Sequence, residues 1–160
     1  MGNNLDDNYG GAFVDNHHCT NIFPYGKNGD CTRTMTLTAP VAANTWCEWT
    51  EIVDSEGNSF SDIFAERAGY IAAIVAETVS NKDKVAQFEF AIGDDKCCLV
   101  RFRAIAGDTK VSTDSGKNLR NPIIPAGQKV YYRMASEQTE MAFTGQIRYY
   151  FADGENGIEE

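Results

Sequence analysis

Histidine is scarce in this chain: His17 and His18, side by side, are the only two in 160 residues. Hydrolysis through a Ser-His-Asp or Cys-His arrangement needs an imidazole poised as base. No Gly-x-Ser-x-Gly elbow accompanies the pair, and the expectation is a protein that is not an enzyme. Long apolar runs are lacking too, and none approaches the ~20 residues of a membrane helix. No Asn-x-Ser/Thr acceptor occurs, and the opening Met-Gly-Asn-Asn-Leu-Asp-Asp has neither the basic nor the apolar region of a signal peptide. These absences lead to the expectation of a chain made in the cytoplasm, with no membrane partner.

Basic charge is short as well. Fourteen Lys and Arg stand against 23 Asp and Glu, for a net charge of -9. Such a surface repels phosphate backbones, so no nucleic-acid partner is expected. Arg101, Arg103, Arg133 and Arg148 fall within alternating runs and read as outward-facing strand residues.

The five cysteines, at 19, 31, 47, 97 and 98, are an odd number with no repeated spacing, a poor disulfide framework. Reduced thiols are the expectation, with a Cys19–Cys31 crosslink left open. Cys97 and Cys98 are neighbours, so in a strand they are expected to face opposite sides, one of them to solvent. His17, His18, Cys19 and Cys31 offer donors that zinc prefers, but not at Cys-x₂₋₄-Cys spacing. Ser115-Gly116-Lys117-Asn118 lacks the hydroxyl and first glycine of a phosphate loop. No metal, cofactor or catalytic residue is assigned.

What is present is β-texture. Residues 34–39 alternate polar and apolar at period two, as do 86–92 and 98–105, and segments 46–53, 70–79, 128–135 and 141–151 add further strand candidates. One or two helical turns are expected at 61–68, with Ser61 as cap and Gly69 as stop. Turns are expected at 54–58 and 93–95, and a polar loop at 107–121. Seven or eight strands with almost no helix predict an all-β antiparallel β-sandwich, jelly-roll-like, over 34–153. An acidic tail, 154–160, closes the chain.

Residues 1–33 show no strand or helix period and read as an extended N-terminal arm. Its apolar anchors Phe13, Ile22, Phe23 and Tyr25 are assigned as assembly contacts. Ordering such an arm costs ~1–2 kcal/mol per residue, which contacts with a neighbouring chain would offset. A homo-oligomer, a trimer in particular, is the expectation. Trp46 and Trp49, if in a strand, face opposite ways, so at least one is expected in the core. Together with Tyr131 and Tyr132 they also leave a sugar-binding platform as an alternative.

Residues 121–133, Asn-Pro-Ile-Ile-Pro-Ala-Gly-Gln-Lys-Val-Tyr-Tyr-Arg, and 143–151, Phe-Thr-Gly-Gln-Ile-Arg-Tyr-Tyr-Phe, carry a resemblance. An apolar-Pro-Ala-Gly corner leading into a strand that ends in Arg, followed by a Tyr-rich closing strand, resembles bacteriophage virion proteins of jelly-roll or related sandwich fold. The likeness spans roughly residues 70–151. It implies a capsid decoration, head-fibre or tail-associated protein in the virion, whose partners are other virion proteins, above all the major capsid protein.

Overall fold

The computed structural model describes residues 21–24, 32–111 and 117–154. The chain is all-β, with two antiparallel sheets and one short 3-10 turn among the described residues. The strands are β1 (Asn21–Phe23), β2 (Met35–Thr38), β3 (Thr50–Glu51), β4 (Gly69–Val79), β5 (Ala86–Ile92), β6 (Cys97–Ala104), β7 (Lys117–Asn118), β8 (Val130–Ser136) and β9 (Ala142–Phe151).

One sheet runs β1-β9-β4-β7, with β2 also on β9, and the other runs β3-β8-β5-β6. β1 and β2 lie end to end along one edge of β9, at Ile147 to Tyr149 and at Ala142 to Gly145. The pairs nest: β5 with β6, β4 with β7, β3 with β8 and β2 with β9. The chain therefore runs like one long hairpin wrapped into two layers.

The inner faces follow from period two. β2 alternates buried and exposed, and β8 alternates buried and half-buried. Met35, Leu37, Phe88, Phe90, Val130, Met134, Phe143 and Ile147 meet in one core, with Phe88 edge-on to Phe143 across the layers at 5.3 Å. Burying each such side chain contributes roughly 1.5–3 kcal/mol.

The expected helical turns shrink to a 3-10 segment, Phe60–Phe64. Ser59 is its cap, accepting from the Ser61 N–H, while the buried Ser61 hydroxyl accepts from the Val130 N–H at 2.8 Å. Gly69 opens β4 instead of stopping a helix. A Cβ there would lie 2.5 Å from the Tyr150 carbonyl oxygen and 2.6 Å from the Phe64 ring, so only glycine lets the turn sit against the strand. Phe60 and Phe64 join Phe23, Tyr149 and Phe151 in edge-on contacts that stopper this end of the inter-sheet space. Burial within that cluster pushes the Tyr149 hydroxyl up to about 12, with Arg67 drawing it partly back.

Three readings of the strands also need correction. Residues 21–23, counted within the arm, form a strand of the sheet, and Phe23 is a core residue, only 6% exposed. Three residues are too short to show a period, and their partners lie more than a hundred positions away. Regular strand in 46–53 is confined to Thr50–Glu51. Residues 44–47 instead follow the β8 edge irregularly, the Asn44 and Cys47 N–H groups donating to the Ser136 and Met134 carbonyls. In β6 a register shift beside Phe90 breaks the alternation, burying Leu99 and leaving Cys97 and Cys98 both exposed.

The expected turn at 54–58 is organised by Asp54. One carboxylate oxygen accepts from the Glu56 and Asn58 N–H groups, each at 2.9 Å, while Arg33 reaches the other at 3.1 Å.

Candidate functional site: an arginine held between two tryptophans

Glu89 lies at the middle of β5 on the face turned away from the core, with Arg101 of β6 and Arg133 of β8 as its cross-strand neighbours. Opposite charges at facing positions attract, and here both guanidiniums converge on one carboxylate. Arg133 Nε donates to Glu89 Oε1 at 2.7 Å, and Arg101 engages Oε2 through Nε and a terminal nitrogen. The Glu89 side chain is 3% exposed although it is on an outer face, whereas Arg101 is 60% exposed.

Trp46 and Trp49 supply the cover. The Arg133 guanidinium carbon lies 4.7 Å from the Trp46 ring centre and 4.6 Å from that of Trp49, with Arg101 6.0 Å from Trp46. Each contact is within cation–π range. Both rings are half-buried and neither belongs to the core. The expectation that one would be interior fails because residues 45–49 are not strand, so the period-two rule does not apply to them.

Beside Trp46 an open groove of about 420 Å³ is lined by Asn44, Gln87, Arg103 and Glu137. At the other end of the same sheet the Lys96 ammonium sits 4.2 Å over the Tyr131 ring. The Cys98 thiol is pushed up by burial and by the Glu89 charge, with Arg101 and Arg133 opposing.

The patch sets two half-buried indole rings and two guanidiniums around one buried carboxylate on the outer face of the sheet. Its carboxylate is committed to two guanidiniums, and among the described residues no three His, Cys, Asp or Glu side chains gather as metal ligands would. Of the residues singled out from sequence, Ile22 is half-buried in β1 opposite Arg148, and Phe23 points into its own core. Phe13, Tyr25, His17, His18, Cys19 and Cys31 lie outside the described residues. Sequence reading saw Arg101 and Arg133 as outward-facing but missed Glu89 between them, because only the register of three strands brings the charges together. Comparison with protein-family models and with curated proteins finds no match to this chain.

Proposed function

We propose that this protein works by binding and assembly as a bacteriophage capsid decoration protein of jelly-roll build, seated on the virion exterior through the Trp46–Arg133–Trp49 surface. The arrangement of Arg133 between two partly exposed tryptophans carries the reading. Trp, Tyr and Arg are the residues that dominate protein–protein binding energy, especially where neighbouring groups exclude water. The nested strand pairing supports the fold assignment, since eight strands wound as two Greek keys are the build of viral capsid and lectin domains. The partner is the major capsid protein, and the decorating unit is a homo-oligomer, a trimer by preference. Head-fibre or tail attachment uses the same surface chemistry.

The groove beside Trp46 favours a second reading, a carbohydrate-binding module. Its Asn44, Gln87 and Arg103 side chains offer hydrogen bonds next to an aromatic ring. Against it, both half-buried indoles already lie against the Arg133 guanidinium, which reduces the ring surface left for a sugar.

Co-sedimentation with capsids stripped of their exterior proteins tests the proposal. The expected result is saturable binding that the Trp46→Ala/Trp49→Ala double variant loses while staying folded. Binding unchanged in that variant overturns the assigned surface. Absence of capsid binding, with saturable glycan binding by calorimetry, decides for the second reading.

A further inference from the structure

Among the described residues, the edges of the long strands are covered with one exception. Along β4, β7 and residues 109–111 take the open edge, the Val79 N–H donating to the Thr109 carbonyl and the Val111 N–H to that of Glu77. β1 and β2 cover β9, while β3, Asn44 and Cys47 cover β8. β6 is the exception. It ends its sheet, pairs with β5 alone, and makes no backbone hydrogen bond to another segment among the described residues. In an antiparallel edge strand every second residue turns its N–H and C=O outward, so β6 presents a row of groups ready to pair.

The register shift at Leu99 interrupts the start of β6, which leaves Val100 to Ala104 as its regular part. There the outer face carries Arg101 and Arg103, opposite Glu89 and Gln87, while Val100, Phe102 and Ala104 face the core. Arg101 is 60% exposed and shares the Glu89 carboxylate with Arg133. Arg103 is exposed and has no ion pair among the described residues. Glu137, which lines the same groove as Arg103, accepts instead from the Val85 N–H at 2.7 Å. No acidic residue and no proline stands in β6 itself.

We propose that the free edge of β6 binds an extended acidic segment of a partner protein by strand addition, its carboxylates at alternate positions facing Arg101 and Arg103. Strand addition takes its affinity from main-chain bonds and its selectivity from alternate side chains. Opposite charges at facing positions attract, and like charges there destabilise the pair. The same rule disfavours a second copy of this chain as the occupant. Antiparallel pairing of two β6 strands about Phe102 sets Arg101 against Arg103 twice. The edge flanks the tryptophan surface, and the inference does not rest on the function assigned there.

Titration of the isotope-labelled full chain with the end-blocked peptide Thr-Glu-Val-Glu-Val-Thr, followed by NMR, is the test. The controls are the same peptide with Lys in place of Glu, and the Glu peptide N-methylated at every Glu and Val. Saturable binding of the Glu peptide is expected, at least tenfold tighter than the Lys peptide, with amide exchange slowed between Val100 and Ala104. N-methylation is expected to abolish it. Arg103→Glu, checked for folding by thermal melting, is expected to remove the preference for the Glu peptide. Trp46→Ala/Trp49→Ala is expected to leave the binding intact. No saturable binding, equal binding of the Lys or N-methylated peptide, or loss in the tryptophan variant overturns the inference. β6 amides already slow to exchange in the free chain overturn it too, by a covering segment or, where protection rises with concentration, by a second copy. An unaltered preference in Arg103→Glu overturns the acidic assignment.

Discussion

Arg133 reaches Glu89 from the neighbouring strand at 2.7 Å, and the carboxylate that it meets is only 3% exposed on the outer face of its sheet. Two tryptophans cover the pair where a sheet's outer face is ordinarily open to water. That cover means the charges are felt in a medium of lower polarity than bulk water, and removing one of them leaves the others imperfectly paired.

Glu89→Gln keeps the shape and removes the charge. A loss of about 1.5–3 kcal/mol is expected, the range for hydrogen bonds to charged groups. The exposure of Arg101 limits the penalty, since its guanidinium can hydrate once released. Urea unfolding measures the loss, and tryptophan emission is expected to shift as Arg133 moves between the two indoles.

Asp54 gives the fold a dependence on acid. Burial alone would raise its carboxyl, but the Asn58 backbone and side chain, the Glu56 N–H and the Arg33 charge together hold it below the ordinary carboxylate value. A depressed folded value means that this stabilisation is complete above the unfolded value of ~3.9 and is lost as pH falls through the lower folded one. Asp54→Asn is expected to be less stable than the parent at neutral pH and to show a shallower fall in stability below pH ~4. Denaturant midpoints measured from pH 2 to 7 check both.

Phe23 separates the two roles weighed for the N-terminal segment. As a core side chain in edge-on contact with Phe60 at 5.1 Å, its change to Ala is expected to cost ~3–5 kcal/mol. Deleting residues 1–20 is expected to preserve the fold, whereas deleting 1–24 strips β1 from β9 and lowers the melting temperature. Differential scanning calorimetry on the two truncations distinguishes them. Equal melting temperatures would show that β1 contributes nothing.

The thiols are expected to label in a definite order. Cys97 and Cys98 are exposed and Cys47 is half-buried, its sulfur accepting from the Met134 N–H at 3.2 Å. Because the Cys98 thiol is held above its ordinary value, less of it is thiolate at neutral pH and it reacts more slowly than an unperturbed cysteine. Glu89→Gln removes one cause of that shift, so it is expected to speed Cys98 labelling. Mass spectrometry of timed alkylation resolves the sites.

Much of the layered architecture was legible in the residue pattern. The alternation at 34–39 and 86–92, and the apolar period of 141–151, correspond to β2, β5 and β9. The Asp54 turn announced itself through its Asp, Gly and Asn. Period two works here because each of these strands has one face on the core and one off it, so its own composition records the division. The site was far less legible. Arg101 and Arg133 gave no sign of sharing a carboxylate, and Trp46 and Trp49 were assigned to opposite faces.

Local sequence determined which residues point in and which point out along the regular strands, because burial is decided one side chain at a time. Tertiary structure decided what sits beside what. Phe23 becomes core only through pairing with Ile147, Leu99 is buried only because the register shifts beside Phe90, and Glu89 is enclosed only when β6 and β8 flank β5. Backbone pairing between distant segments carries little side-chain signature of its own, since any two extended stretches can exchange N–H and C=O groups. The register, and with it the Trp–Arg–Glu surface, is chosen by the packing of both sheets at once.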